Sequence, residues 1–329
     1  MLGLRRSEFG TLSSGEVVDQ YRLENNCLDL SVSNYGCRLL SLRYKPLNQQ
    51  LVMGQWSLPE YEQDTSYSGA IVGRTCNRIS EAQFDLEGIR YLLDANEAPH
   101  HLHGGFHGFH NRCWTTLPTV DGILFETVSE HGEGGYPGAV RASVKISLQG
   151  SRLIYDYSAS SDRLTYVDMT NHTYFCLDNS GSILDHQLRI SSHQYIPVNQ
   201  SLIPTGEILP CQETPFDFYR SKPVGQDIHD DHPQLAIGHG YDHSYLLDET
   251  KVVVAELYSP LSHIVMKVES DAPAVQLYTG NHLNAAHSAL CLETQNLPNA
   301  CNLQGFSKSL VKPGSPFLSR TVFDFSVSH

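Results

Sequence analysis

Alternation of apolar and polar residues with a period of two most constrains what this chain can fold into. The run at 144–148 alternates, the glycine-bearing "QGS" follows, and the run at 153–157 alternates again. Alternation of this kind places every second side chain on one face of an extended strand. The side chains predicted to share a face are Val144, Ile146, Leu148, Leu153, Tyr155 and Tyr157. The pattern therefore predicts a β-hairpin.

Other segments show the same strand-like character. The runs "CLDLSVSN", "GILFETVSE", "KVVVAELYS", "HIVMKVES" and "AVQLYTG" are rich in β-branched and aromatic residues and are bounded by turn formers. Helical periodicity is nearly absent, and only "SLPEYEQD" and the stretch around "DIHDDHPQLAIG" are predicted to form short helices. No linker or internal repeat divides the sequence. We therefore predict one all-β domain over residues 1–329, an antiparallel β-sandwich.

Charge and cysteine usage narrow the class of partner. The net charge is -14 and no run of Lys or Arg is present, which disfavours nucleic acid and anionic membrane surfaces as partners. The start "MLGLRRSEFGTLSSGE" lacks the apolar stretch of a signal peptide, and no segment approaches the ~20 apolar residues of a membrane span. The eight cysteines form no CxxC pair. We expect a cytoplasmic protein with reduced thiols, without disulfides or a thiolate zinc site.

The most unusual segment is "HHLHGGFHGFH", residues 100–110, with five histidines around three glycines. His103 and His107 have the HxxxH spacing of some zinc sites, but the glycines between them argue against the helix that would align them. Three interpretations remain open at this point. The segment is a solvated loop, a metal site, or a wall of a pocket in which one neutral histidine donates to a ligand oxygen.

Three further segments carry candidate functional residues. Asn77 and Arg78 lie in "GAIVGRTCNRI", where the arginine either binds ligand hydroxyls or pairs with a surface carboxylate. His172 lies in the strand-like "VDMTNHTYFCL", either as a proton donor or as a hydrogen-bonded core histidine. Glu293 follows an apolar run in "ALCLETQNLPNACN", where carboxylates are rare unless they are paired or functional. It is the best candidate for a general base.

Together these segments resemble the aldose 1-epimerase family, the galactose mutarotases. Other stretches follow in family order: "SNYGCRLLSL", "DHQLRISSHQYIPVNQSLIPTGEI", "PFDF", "GYDH" and "QLYTGN". The resemblance implies a galactose mutarotase-like supersandwich of antiparallel strands, with the sugar in a cleft across one sheet. It also implies that the protein interconverts the α and β anomers of free aldohexoses such as galactose or glucose, with no cofactor and no metal.

The resemblance also implies residue roles. Glu293 would be the general base and His172 the general acid. The residues implied to hold the sugar are Asn77, Arg78, His103, Asp242 and Gln276. His103 would then be one pocket wall, and the other four histidines of residues 100–110 would decorate a loop. Reference pKa values of about 4.3 for Glu and 6.5 for His bracket the active form, and we expect the neighbouring carboxylates to raise the pKa of His172.

Three other functions are alternatives to the mutarotase interpretation. A hexose-6-phosphate 1-epimerase-like enzyme or a non-catalytic sugar-binding homologue would share the cleft, and a glycoside hydrolase would need Glu293 and Asp242 as a carboxylate pair. The sequence also departs from the family pattern after "LETQ", where Asn299 and Cys301 replace the usual residues. The preferred aldose and the choice between monomer and homodimer stay open.

Overall fold

A computed structural model describes residues 3–54, 56–248 and 250–328, and these residues are mostly β-strand. In chain order the strands are β1 (Gly3–Thr11), β2 (Val17–Glu24), β3 (Leu28–Ser33), β4 (Arg38–Tyr44), β5 (Gln49–Gln50), β6 (Ile71–Val72), β7 (Arg78–Ile79), β8 (Gln83–Leu86), β9 (Ile89–Leu92), β10 (His101–Leu102), β11 (Thr115–Pro118), β12 (Gly122–Ser129), β13 (Val140–Gln149), β14 (Arg152–Ser161), β15 (Thr165–Tyr166), β16 (Thr170–Asn171), β17 (Gln187–Ile190), β18 (Gln194–Tyr195), β19 (Leu209–Pro210), β20 (Lys222–Pro223), β21 (Asp242–Leu246), β22 (Val253–Tyr258), β23 (Ile264–Ser270), β24 (Ala274–Tyr278), β25 (Cys291–Gln295), β26 (Leu310–Val311) and β27 (Phe317–Val327).

Helices are few and short. The α-helices are α1 (Leu58–Glu62) and α2 (Pro233–Gly238), and single 3-10 turns lie at Lys45–Leu47, Ser80–Ala82, Phe109–Asn111 and Glu133–Gly135. Both α-helices lie inside the two segments predicted to be helical. Ser57 and Glu60 form a capping box at the start of α1, which supplies partners for its first backbone N–H groups. No helix of the described residues is long and apolar enough to span a membrane.

Three sheets of five or more strands dominate the architecture, and all their pairings are antiparallel. The first follows the order β1-β2-β3-β4-β5, the second β11-β12-β13-β14-β27-β23-β22-β17-β20, and the third β19-β18-β21-β24-β25. The remaining strands pair in four two-stranded ladders, β10-β7, β15-β26, β16-β6 and β8-β9. The all-β prediction is confirmed.

The predicted hairpin is β13–β14. Val144 lies opposite Tyr157, Ile146 opposite Tyr155, and Leu148 opposite Leu153. These six side chains are buried, so alternation correctly identified the face that packs inward. The five other strand-like runs contain β3, β12, β22, β23 and β24.

The main core lies between the nine-stranded sheet and the two five-stranded sheets. On one side the rings of Tyr21 and Phe125 are 6.2 Å apart and perpendicular, which joins β2 to β12. On the other side the hydroxyls of Thr294 and Thr321 are 2.5 Å apart, which joins β25 to β27. Leu292 on β25 belongs to the same buried cluster. One face of the third sheet is therefore fixed in the core, which leaves its opposite face for a site.

Candidate active site

A cavity of about 190 Å³ opens on the third sheet and contains six of the seven residues predicted to form a site. The six are Asn77, Arg78, His103, His172, Asp242 and Glu293. Asp242 on β21 lies opposite Tyr278 on β24, whose neighbour across the next ladder is Cys291 on β25. The volume is below the 300–1,000 Å³ typical of pockets for drug-sized ligands, so the cavity suits one small molecule.

Alternation along β25 determines which side chains reach the cavity. Leu292 and Thr294 face the core, so Cys291, Glu293 and Gln295 face the opposite side. Glu293 is 2 % exposed and lines the cavity. Its Oε2 accepts no hydrogen bond from the described part of the chain. A buried carboxylate oxygen without a protein donor is available to a ligand or a proton.

His172 follows β16 directly and is held by its own main chain. Its N–H donates to Ala70 at 2.8 Å, and its carbonyl accepts from Gly69 at 2.9 Å. The ring packs against Tyr67 at 6.0 Å and Tyr174 at 5.1 Å between centroids. These contacts leave the imidazole little freedom to move away from Glu293.

Glu293 and His172 form the chemical centre of the cavity. Nε2 of His172 lies 3.8 Å from Oε1 of Glu293, and both side chains are almost fully buried. Burial raises the pKa of Glu293 well above its usual range, and the nearby Asp242 raises it further while Arg78 opposes the shift. Burial lowers the pKa of His172 to about 4. Both shifts favour a neutral pair that holds one proton over a wide pH range.

The expectation that neighbouring carboxylates raise the pKa of His172 is wrong. The largest effect is desolvation, which disfavours the imidazolium, and the raising effects of its own main-chain carbonyl and of Asp64 are smaller. The sequence shows which charges are close in the motif, but it does not show how completely the ring is removed from water.

His103 reaches the cavity because the chain turns sharply after β10. Its N–H donates to the carbonyl of Asn77 at 3.1 Å, and its Nδ1 accepts from the N–H of Asn77 at 3.2 Å. A side chain at Gly104 would place its Cβ 1.8 Å from the carbonyl oxygen of Gly73, so only glycine fits this position. In the neutral ring, Nε2 of His103 therefore carries the proton and can donate to a ligand oxygen.

Arg78 is fixed between two carboxylates. Its Nε and Nη2 donate to Glu97 at 2.6 and 2.9 Å, and its Nη1 lies 3.8 Å from Oδ2 of Asp242. Burial opposes the charge, but Asp242 and Glu97 outweigh it, and the pKa of Arg78 lies above its usual value. The bidentate pair with Glu97 leaves Nη1 as the free end of the guanidinium, next to Asp242.

Gln276 does not line the cavity. It lies opposite Glu293 on the adjacent strand and donates from Nε2 to Oδ1 of Asp242 at 2.6 Å, while its Oε1 accepts from the hydroxyl of Ser244. Its side chain acts on the cavity through the Asp242 carboxylate, which it orients.

The expectation that four of the five histidines in residues 100–110 decorate a loop is wrong. His101 is fully buried and bonds the carbonyl of Asp94 at 2.7 Å and the hydroxyl of Tyr136 at 2.7 Å. His100 accepts from the N–H of Glu81 at 3.0 Å. Burial lowers the pKa of His101 to about 4. Of the four, only His107 is exposed.

A different pair of histidines, together with Glu293, has the spacing of a metal-binding group. One nitrogen each of His103 and His172 and one oxygen of Glu293 lie within 4.8 Å of one another. However, Nδ1 of His103 already accepts a backbone N–H, so the Nε2 of its neutral ring carries a proton rather than the free lone pair that a metal needs. His107, the other half of the HxxxH spacing, does not line the cavity. The donor set favours proton chemistry.

Nine of the residues that line the cavity were missed in the sequence, among them Tyr67, Glu97, Tyr174 and Tyr278. Tyr174 lies two positions after His172 and Tyr278 two after Gln276, so alternation could have placed both beside known candidates. Tyr67 and Glu97 lie outside the strands, where no periodic signal identifies them.

The two departures from the family pattern lie outside the cavity. Asn299 and Cys301 line a separate small cavity of about 30 Å³. The side-chain oxygen of Asn299 accepts from the N–H of Ser80 at 3.1 Å. Neither residue lines the site. These two departures from the family pattern are therefore a weaker reason to expect an altered sugar preference.

The overall fold matches solved structures. A galactose 1-epimerase from Lactobacillus acidophilus superposes with a TM-score of 0.91 at 24 % identity, with all of both chains covered. A GalM/aldose epimerase homologue from C. elegans gives a TM-score of 0.85 at 25 % identity, over 93 % of this chain and 97 % of that one. The mutarotase-like fold is confirmed.

Sequence comparison extends this from fold to family. The family model described as aldose 1-epimerase matches residues 19–324. The chain belongs to the aldose 1-epimerase family. It is 36 % identical to the galactose mutarotase of Homo sapiens over 347 aligned positions that cover all of both chains. It is 31 % identical to the aldose 1-epimerase of Escherichia coli strain K12, over 92 % of this chain and 94 % of that one. The protein is an isomerase, as predicted.

Proposed function

We propose that this aldose 1-epimerase interconverts the α and β anomers of free aldohexoses such as galactose or glucose, with Glu293 and His172 as its acid–base pair. The observation that carries the proposal is the buried pair itself, with Nε2 of His172 3.8 Å from Oε1 of Glu293 in a cavity suited to one small molecule. Arg78, Asp242, Asn77 and His103 surround the pair and offer donors and acceptors for sugar hydroxyls.

Ring opening needs two proton transfers around C1. The pair reacts in the form in which its single proton lies on His172. The carboxylate of Glu293 takes the proton of the anomeric hydroxyl, the imidazolium of His172 gives its proton to the ring oxygen, and the bond between C1 and the ring oxygen breaks to leave an aldehyde. Rotation about the C1–C2 bond then presents the other face of the aldehyde. The hydroxyl attacks C1 again while Glu293 gives its proton to the aldehyde oxygen and His172 takes the proton of the hydroxyl, so the pair is regenerated with its single proton on His172.

The remaining residues hold the open chain in reacting geometry. Arg78, fixed by Glu97, presents Nη1 beside Asp242, and this donor and acceptor together suit a pair of neighbouring hydroxyls. His103 offers Nε2–H from a ring that its neighbours keep neutral, since burial lowers its pKa well below the usual value. Positioning of this kind limits escape of the aldehyde.

Polarimetry on freshly dissolved sugars tests the proposal. We expect the protein to accelerate mutarotation of α-D-galactose and α-D-glucose above the buffer-catalysed rate, and a panel of other aldoses measures the preference among them. Binding of these sugars without acceleration would support a non-catalytic homologue instead. Release of free sugar from a glycoside would support the hydrolase, which leaves His172 without a role.

The pH dependence of kcat/KM is expected to be bell-shaped with widely separated limbs. A second proton on the pair leaves Glu293 protonated as well as His172 and therefore leaves no base, so activity falls as the pH drops through about 4. Loss of the single proton of the pair leaves His172 with none to give to the ring oxygen, so activity falls again above the raised pKa of Glu293. Stopped-flow polarimetry between pH 3 and 10 measures both limbs. An acid limb between pH 6 and 7 would contradict a desolvated His172.

Phosphorylated sugars are expected to be poor substrates. Glu97, Asp242 and Glu293 line the cavity against the single guanidinium of Arg78, which two of these carboxylates already engage. A phosphate carries about -1.5 to -2 charges and would be buried without a free cation. We expect kcat/KM for glucose 6-phosphate to be at least about 100-fold below that for glucose, which a side-by-side anomerisation assay measures.

Arg74 and Arg112, the arginines in the neighbouring segments, are not placed to neutralise a phosphate in the cavity. Arg74 is buried and donates to the carbonyls of Pro137 and Gly138, both at 2.9 Å. Arg112 donates to the carbonyl of His107 and pairs with Glu133. Neither lines the cavity. A preference for the 6-phosphate in the assay would replace the proposal with a hexose-6-phosphate 1-epimerase.

Cysteine usage and net charge bear on the compartment in which the enzyme works and on its partners. We propose that the enzyme works in the cytoplasm as a monomer or homodimer and binds neither nucleic acid nor membrane. All eight cysteines are free thiols, and most are buried, which suits a reducing compartment. The net charge of -14 repels polyanions.

A further inference from the structure

Tyr67 lines the cavity, but the mechanism proposed above gives it no role. Its ring packs among three histidines, with centroid distances of 4.6 Å to His103, 4.7 Å to His110 and 6.0 Å to His172. His103 and His172 line the same cavity. Because these contacts surround the ring, the hydroxyl at its end has a defined position.

The main chain also fixes Tyr67. Its φ is 55°, in the left-handed region that aromatic residues rarely adopt, and such a conformation persists only where neighbouring contacts impose it. Asp64 supplies these contacts, since its carboxylate accepts the main-chain N–H groups of Ser66 at 2.8 Å and Ser68 at 2.7 Å. The same carboxylate is paired with the buried Arg38 at 2.8 Å. The turn therefore holds Tyr67 at the cavity wall.

The hydroxyl of Tyr67 is within electrostatic reach of Glu97 and Arg78. Burial raises the pKa of Tyr67 to about 12, and the smaller effects of Glu97 and Arg78 oppose each other. A hydrogen bond with Asn96 lowers this pKa, which is the effect of a donor to the phenol oxygen. The amide of Asn96 is itself held by the main chain of Leu102, through two bonds of 2.9 Å. The phenol is therefore protonated at neutral pH, and its O–H is available to donate to a ligand.

We infer that Tyr67 is a substrate-binding residue of the proposed mutarotase, and that its hydroxyl donates to a sugar hydroxyl that Arg78 and Glu97 also bind. An alcohol oxygen accepts two hydrogen bonds and donates one. It can accept from Tyr67 and Arg78 and donate to Glu97. Each oxygen of Glu97 accepts one bond from Arg78 and keeps a second lone pair, and this side chain is 38 % exposed.

The chemistry of the proposed reaction limits which sugar hydroxyl this is. The anomeric hydroxyl and the ring oxygen are engaged by Glu293 and His172 in the proposed mechanism. Tyr67 therefore binds one of the other hydroxyls of galactose, at C2, C3, C4 or C6. The inference rests on the proposed function for the identity of the ligand, and it predicts that Tyr67 distinguishes sugars that differ at a single carbon.

Isothermal titration calorimetry at pH 7 tests the inference with galactose and its 2-, 3-, 4- and 6-deoxy derivatives. We expect Tyr67→Phe to raise the Kd for galactose about 3- to 10-fold, the equivalent of one neutral hydrogen bond. For one deoxy sugar, the one that lacks the bound hydroxyl, wild type and variant should have the same Kd. An equal loss for all five sugars, or no loss for galactose, would overturn the inference.

Tyr35→Phe is the matched control. The hydroxyl of Tyr35 is also bonded to an asparagine, since it donates to Oδ1 of Asn111 at 2.6 Å, but Tyr35 does not line the cavity. We expect this variant to bind galactose with the Kd of wild type. A loss as large as that of Tyr67→Phe would show a general effect of hydroxyl removal and would overturn the inference.

Kinetics separate binding from support of the acid–base pair. We expect Tyr67→Phe to raise KM for galactose by the same factor as Kd, with kcat within about threefold of wild type, because the contact is made equally before and during ring opening. A fall in kcat with KM unchanged would assign Tyr67 to the support of His172 and overturn the inference. Absence of mutarotation in wild type would refute the proposed function, whereas the calorimetry would still decide the contact.

Discussion

Glu293→Gln is expected to lower kcat by roughly 10²- to 10⁴-fold, the usual worth of a positioned acid or base. Glutamine keeps the shape of the side chain but cannot accept the proton of the anomeric hydroxyl. The fold should not suffer, because the burial that raises the pKa of Glu293 also means that the native state disfavours the charged form of this side chain. Stability of wild type falls as the pH rises through that pKa, and the glutamine variant should lack this fall.

The matched control is Glu97→Gln, a carboxylate-to-amide change in the same cavity. Glu97 orients Arg78 but does not contact His172 in the proposed mechanism, so we expect a higher KM and a kcat within about tenfold of wild type. Polarimetry gives kcat and KM for both variants, and thermal melts at pH 5 and 8 give the stability comparison. A loss below about tenfold for Glu293→Gln would place the base elsewhere.

His172→Asn is expected to cause a comparable fall in kcat, roughly 10²- to 10⁴-fold, because asparagine cannot deliver a proton to the ring oxygen. The double variant with Glu293→Gln should lose less than the product of the two single losses. Both groups serve one exchange of protons around C1, so the second substitution removes a partner that has already lost its role.

His110→Asn is the matched control for this change. Its ring also packs on Tyr67, at 4.7 Å between centroids, but it does not line the cavity. Burial lowers the pKa of His110 to about 3, so its replacement removes no charge at neutral pH. We expect less than about a tenfold change in kcat, measured by the same polarimetric assay. Strict multiplication of the losses of Glu293→Gln and His172→Asn would contradict a shared step.

Much of the architecture could be predicted because strand periodicity is local. The hairpin β13–β14 was predicted with the correct buried face and turn segment, since alternation identifies the face and "QGS" marks the turn. The same periodicity explains why Glu293 faces away from the core, because its neighbours Leu292 and Thr294 face inward. The resemblance then placed Asn77 and His103 near it, and both line the same cavity.

The protonation states could not be predicted, because desolvation depends on everything that packs around a group. His172 sits among rings from distant parts of the chain, Tyr67 and Tyr278 among them, and burial reverses the expected direction of its pKa shift. Asp64 raises this pKa, but its attraction is weaker than the loss of water.

By itself the sequence determined the all-β class, the short helices, the hairpin and the reaction class, since each depends on local patterns or on ordered motifs. Only the tertiary structure decided which histidine of residues 100–110 reaches the cavity, that Glu97 holds Arg78, and that Gln276 acts through Asp242. These contacts join residues far apart in the chain, and their partners are selected by how the sheets pack, which no local pattern encodes.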